Sequence, residues 1–133
     1  MFKYLTIILF LTSFGITNNK TYVKTYHPNG KLKEEGWIFN DKKTDYWLFY
    51  YENGLKKEEG HYKNNQKTNW WIYYDEKQII TKKCEYKNNK LNGITIVYAK
   101  GEITKAEKYN NGKKTKTWTD LEEFKKDNNY LLY

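Results

Sequence analysis

Few side chains in this sequence could carry out a reaction, and their placement argues against one. The only Ser is Ser13, inside an apolar N-terminal run, and Cys84 is the only Cys. A reactive thiol needs a charged neighbour and solvent access. Cys84 instead fills a position that is Gly in two other copies of a repeat described below, which assigns it to packing. A lone Cys forms no internal disulfide, and a half-buried one is protected from pairing between molecules. His27 and His61, the only histidines, share no metal-ligand spacing. Glu34-Glu35 and Glu58-Glu59 are paired carboxylates of the kind glycosidases use. Adjacent strand residues point to opposite faces, so neither pair converges on one substrate. Surface Lys–Glu contacts, each contributing about 0 to 1 kcal/mol, are the simpler reading. No Gly-rich phosphate loop is present. This inventory predicts no catalytic residue, no metal site and no cofactor.

The aromatic surplus remains. Trp37, Trp47, Phe49, Trp71 and Tyr73 are the candidate binding surface, expected as a ladder on one side of a sheet. Such a ladder supplies the sheet's own cohesion, or, edged by Lys, a platform for a partner protein, a glycan or a lipid headgroup.

The elements that position these residues are set by an internal repeat. Asn29-Gly30-Lys31-Leu32-Lys33-Glu34-Glu35-Gly36 recurs as Asn53-Gly54-Leu55-Lys56-Lys57-Glu58-Glu59-Gly60, with Gly36 and Gly60 offset by 24. The same offset carries Tyr46-Trp47 to Trp70-Trp71 and Tyr62-Lys63-Asn64-Asn65 to Tyr86-Lys87-Asn88-Asn89, and a fourth copy, Tyr109-Asn110-Asn111-Gly112, follows at 23. The units run over about 26–49, 50–73, 74–97 and 98–120. Each divides into two strand-like runs; in the second unit these are Leu55 to Lys63 and Trp70 to Asp75, around a polar turn from Asn64 to Asn69. Asn-Gly pairs close the opposite end. The expected fold is all-β: one elongated antiparallel sheet of stacked hairpins, each strand beside its neighbours in sequence.

Comparison between copies defines slots. Gly36, Gly60 and Cys84 share a small slot, and Ile38, Tyr62, Tyr86 and Tyr109 share the one two residues on, which places both on one face. A bulky aromatic from the next strand is expected to lie over the small slot. The intervening slots hold Glu35, Glu59, Lys83 and Ala106, then Trp37, His61, Glu85 and Lys108, and predict a solvated face. In the second strand Tyr46, Leu48 and Tyr50 fall on one side, with Trp47 and Phe49 on the other.

These residues resemble the bacterial variant of the MORN repeat. Tyr26-His27-Pro28-Asn29-Gly30 with Lys33-Glu34-Glu35-Gly36 fits its first part, Tyr62-Lys63-Asn64-Asn65 and Tyr109-Asn110-Asn111-Gly112 its second, and Trp71 with Tyr74 its third. The resemblance covers about Tyr26 to Trp118. It implies a binding or scaffold module; some such repeats are associated with phospholipids, and bacterial proteins of this variant often carry an antitoxin label. The Gly expected two residues before the Trp is Asp45, Asn69, Gly93 and Lys116 in the four copies. Asp and Asn tolerate the left-handed conformation, so the turn survives; Lys116 and the offset of 23 predict a distorted last hairpin. Thr119-Asp120-Leu121-Glu122 resembles a capping box and predicts a short helix, Asp120 to Lys126, that closes the sheet end.

The 133 residues allow one domain. Hydrophobic residues make up 38% and aromatics 19%, a composition suited to a thin sheet. At the N-terminus a short positive start, an apolar run from Tyr4 to Phe14 and small residues at Ser13, Gly15 and Thr17 read as a signal peptide over residues 1–17, and hence as export. The run is shorter than the roughly 20 residues a spanning helix needs; an uncleaved anchor is the alternative. Removal of the segment leaves 23 Lys against 16 Asp and Glu, a charge of +7. Every cationic side chain is Lys, and the absence of Arg disfavours sequence-specific nucleic-acid binding. Two partner classes follow: an extracytoplasmic protein, with this chain as a scaffold, or an anionic lipid or polymer attracted by net charge.

Overall fold

The computed structural model describes residues 19–129. Within them the chain forms β1 (Thr21–Tyr26), β2 (Leu32–Phe39), β3 (Lys42–Tyr50), β4 (Lys56–Lys63) and β5 (Gln66–Tyr74). It continues through β6 (Ile80–Lys87), β7 (Lys90–Ala99), β8 (Glu102–Asn110), β9 (Lys113–Trp118) and the helix α1 (Leu121–Asp127). The strands make one open antiparallel sheet in sequence order, as the repeat predicts.

Turn chemistry alternates between the two ends of the sheet. At one end, two-residue turns at Asn40-Asp41, Asn64-Asn65, Asn88-Asn89 and Asn111-Gly112 have both central residues at positive φ, between 48° and 86°, the type I′ pattern whose twist matches the strands. The polar turn is therefore much shorter than Asn64 to Asn69: Asn64 and Asn65 alone reverse the chain, and Gln66 to Asn69 already belong to β5. At the other end, the loops beginning at His27, Tyr51 and Asp75 repeat one hydrogen-bond pattern, in which Tyr51 N donates to Leu55 O and Gly54 N to Tyr51 O. Asn29 Nδ2 donates to Glu52 O at 2.9 Å and Asn53 Nδ2 to Glu76 O at 3.3 Å, so neighbouring loops brace one another. Between β7 and β8 this loop shrinks to Lys100-Gly101, both at positive φ. The offset of 23 arises in that shortened turn, upstream of the last hairpin.

Each hairpin also carries a bulge just before its Trp position. Gly36 lies opposite Trp47 while Trp37 lies opposite Thr44, and Gly60 and His61 face Trp71 and Thr68 in the same way. Asp45, Asn69 and Gly93 adopt φ of 56°, 58° and 116° there, as the copies predict. In the last hairpin Lys108 pairs with Lys116 and Tyr109 with Lys114, so one residue is extra where the earlier units have two. A slip of one residue turns every following side chain over. Trp118, in the repeat position of Trp47 and Trp71, consequently sits opposite Ala106 on the other face of the sheet.

That face carries α1. Asp120 is the N-cap and accepts from Glu123 N at 2.8 Å, one residue later than the Thr119 box predicts. Phe124 packs edge-on against Trp118 at 5.4 Å, over a core of Ile94 and Ala106 flanked by Trp70 and Ile96. The helix thus covers a face of the last strands and does not close the sheet end. Lys113, Lys114 and Lys116 line β9, and such edge lysines discourage further strand pairing.

Candidate binding surface

The first face is built around the small slots. A Cβ placed on Gly36 would lie 2.3 Å from the Trp47 indole, and one on Gly60 would lie 2.4 Å from that of Trp71. The rings lie flat on bare backbone. Trp47 is 1% exposed and Trp71 0%. Their indole N–H groups also have partners: Trp47 Nε1 donates to Trp37 O at 3.0 Å and to Thr44 O at 3.1 Å, and Trp71 Nε1 to His61 O at 3.1 Å. Trp37 and His61 stand where the bulge interrupts the β-ladder, so the indole occupies carbonyls at that break.

A lysine four residues before each Trp covers the outer surface. Lys43 Nζ lies 4.0 Å from the Trp47 ring centroid and 2.6 Å from Glu34; Lys67 Nζ lies 3.9 Å from the Trp71 ring and 3.4 Å from Glu58. Partly desolvated cation–π contacts of this kind contribute about 1 to 2 kcal/mol. Burial lowers the Lys67 pKa. Between the indoles, Phe49 and Tyr62 stand 6.1 and 5.0 Å from Trp71, and the Tyr73 and Tyr86 hydroxyls share a hydrogen bond of 2.9 Å. Sequence reasoning passed over Lys43 and Lys67, although they too recur at an offset of 24.

The third unit alters every part of this motif together. Cys84 takes the Gly slot, Thr95 the Trp position and Leu91 the Lys position. Cys84 is buried and its thiol pKa is raised by desolvation, so it is held in the unreactive protonated form. In the fourth unit Glu107 occupies the small slot and accepts from Lys105 at 2.9 Å, Tyr109 at 2.9 Å and Lys114 at 3.4 Å. Among the described residues no group of three His, Cys, Asp or Glu side chains could hold a metal ion.

Of the five aromatics expected on one side, four share this face. Trp37 does not: it pairs with Tyr22 and follows the bulge on the second face, where the two rings meet edge-on at 5.2 Å. Strand alternation makes the neighbour of a first-face Gly point the other way. Tyr46 meets His61 there at 4.9 Å in the same edge-on manner. Tyr22, Trp37 and Tyr46 are 42%, 38% and 37% exposed, and form a row across β1 to β3 that Trp70 continues toward the helix.

The second face is less solvated than its polar slots predict. Glu59 and Ala106 are buried, Ala106 near α1 and Glu59 among tyrosines. Tyr50 Oη donates to Glu35 at 2.7 Å and Tyr74 Oη donates to Glu59, with Lys56 Nζ 3.0 Å from the latter. The bond from Tyr50 holds the Glu35 pKa below its ordinary value. At Glu59 burial acts to raise the pKa, but donation from Tyr74, Lys56 and Tyr46 outweighs it.

No protein-family model matches the chain. No curated protein matches it either. Solved structures similar to it at low identity include the following two. The glycosylation-associated protein complex Gap123 from Streptococcus agalactiae has 17% identity and a TM-score of 0.43, over 84% of this chain and 24% of that one. Accessory secretory protein 1, 2 and 3 in Streptococcus pneumoniae has 16% identity and a TM-score of 0.42, over 84% of this chain and 25% of that one. The chain thus spans about a quarter of the length of either. No described helix is long and apolar enough to cross a membrane, and the segment read as a signal peptide lies outside the described residues.

Proposed function

We propose that this protein is an exported, non-enzymatic hairpin-repeat scaffold of the MORN kind that engages a partner protein through the second face of its sheet. The exposed row of Tyr22, Trp37 and Tyr46 carries the reading. Aromatic anchors with a polar tip are the side chains that concentrate binding energy at protein interfaces. Trp47 and Trp71, by contrast, are consumed by the packing of their own sheet, under Lys43 and Lys67 and over glycine. The neighbouring Lys24–Glu35 and Lys56–Glu59 pairs supply the polar rim such a patch needs. Export is supported by the positive start and short apolar run of residues 1–17.

The test is affinity capture from an envelope fraction with the wild-type chain and with a Trp37→Ala, Tyr46→Ala double variant, washed at about 1 M salt, where electrostatic screening acts within about 3 Å. A defined protein held by the wild type, lost in the variant and rebound after purification is the expected result. An identical captured set for both proteins, with an unchanged melt of the variant, defeats the proposal. Recovery of anionic lipid or polymer alone, released by salt, favours the charge-driven alternative.

A further inference from the structure

The interior of the sheet shows what its first edge is shaped to receive. At an offset of 24, Tyr22, Lys24 and Tyr26 of β1 correspond to Tyr46, Leu48 and Tyr50 of β3 and to Trp70, Ile72 and Tyr74 of β5. β1 is therefore the second strand of a hairpin unit. Among the described residues it pairs on one side only, with β2. In β3 and β5 the other side is filled by β2 and β4, which share one chemistry: Lys33-Glu34-Glu35-Gly36 and Lys57-Glu58-Glu59-Gly60. The second Glu of each lies opposite Leu48 or Ile72 and accepts the phenol of Tyr50 or Tyr74.

On β1 the same template is open. Tyr26, the counterpart of those two phenols, is 59% exposed. Lys24 replaces the apolar Leu48 and Ile72; its side chain is 49% exposed and lies 3.4 Å from Glu35 of β2. A carboxylate arriving in the position of Glu35 or Glu59 would meet a cation and a phenol together. Val23 stands where Trp47 and Trp71 stand, so the residue facing it is freed from the glycine requirement. A second copy is the poorer occupant, because its own edges present Lys24 on β1 and Lys113, Lys114 and Lys116 on β9, and like charges across a strand pair repel.

We propose that β1 is an acceptor edge for an extended acidic strand of a partner protein, which adds antiparallel to β1 and sets a Glu or Asp between Lys24 and Tyr26. Main-chain hydrogen bonds to the edge supply affinity, and the carboxylate pocket selects the sequence. This goes beyond the face described above, since it uses the edge and none of the exposed aromatic row beyond β1.

The probe is a labelled peptide with the sequence of residues 55–63 in which the three lysines are replaced by threonine, so that it is acidic, titrated into the full chain and followed by fluorescence anisotropy. Saturable binding is expected, with hydrogen exchange slowed over residues 21–26 and unchanged over 113–118. A peptide with both glutamates replaced by glutamine should bind roughly tenfold more weakly, because charge-assisted hydrogen bonds are about twice as strong as neutral ones. A Lys24→Leu, Tyr26→Phe variant, which carries the residue type of β3 at position 24, should show a similar loss and the same melt. No saturable binding, equal affinity for the glutamine peptide, or an unaffected variant overturns the proposal. So does a free protein in which the β1 amides are already protected, whether by a second copy or by another part of the chain. A Trp37→Ala, Tyr46→Ala variant that still binds the peptide separates this edge from the face.

Discussion

At the scale of single residues, the decisive contact is an indole on a glycine. Trp71 lies so close over Gly60 that even a methyl group cannot enter without moving the ring or the strand. Gly60→Ala is therefore expected to lower stability by about 1 to 3 kcal/mol through overpacking, read from the urea midpoint. The third unit shows how the position can be relieved, since Cys84 there faces Thr95. Pairing Gly60→Cys with Trp71→Thr should consequently cost less than the sum of the two single changes. A double-mutant cycle that returns strict additivity would show that the two positions do not share space. The repeat comparison alone pointed to this slot, because volume must be conserved across a thin sheet and the copies record which combinations fit. It did not reveal the lysines above the rings, whose positions depend on where Glu34 and Glu58 lie across the strand pair.

At the scale of elements, one residue of bulge decides what α1 packs on. Asp45, Asn69 and Gly93 accept positive φ; Lys116 is not among the residues that do, and the last bulge is one residue shorter. Trp118 then turns to the second face and gives Phe124 a partner. The helix has seven residues, too few for independent stability, so it depends on that contact. Phe124→Ala should release it: protection from hydrogen exchange over Leu121–Asp127 is lost and Trp118 emission shifts to the red. The sheet should melt nearly as before, because each strand makes most of its contacts with its neighbours in the sheet. Loss of protection across β4 and β5 in the same variant would contradict that independence. Here the capping signal in the sequence located the helix to within a residue, while its docking face lay hidden in the register.

Across the whole molecule, ionisable groups recur with the repeat, so their effects accumulate. Glu35, Glu59 and Glu107 have pKa values held below the ordinary 4.5: Glu35 by the Tyr50 hydroxyl, Glu59 by donors that overcome its burial, Glu107 by Lys105. A carboxylate depressed in the folded state contributes stability above its unfolded pKa and loses it as pH falls through the folded value. Burial pushes Tyr46 and Tyr62 up to about 12, and Tyr50, Tyr73 and Tyr74 further. Phenols raised in this way contribute stability below the unfolded value of about 10, and it is lost as pH rises toward the folded one. The urea midpoint should thus be level between about pH 5 and 9 and fall on both sides. Tyr50→Phe should lower the plateau and flatten the acid limb, since Glu35 then gains less from ionising in the folded state. An acid limb identical to that of the wild type would remove Tyr50 from the account.

Much of this architecture is written locally. The 24-residue period, the turn residues that accept positive φ, the small slots and the helix cap each act over a few positions, so the order of strands and the single sheet follow from the chain alone. The face taken by Trp118 does not. Side chains alternate with a period of two, and a bulge of one or two residues sets the parity of everything beyond it. That count is resolved only when the strands pair. In the last hairpin it turned Trp118 toward Phe124, whereas the two-residue bulges of the earlier units kept the alternation that sets Trp37 beside Tyr22 and Trp47 and Trp71 over glycine.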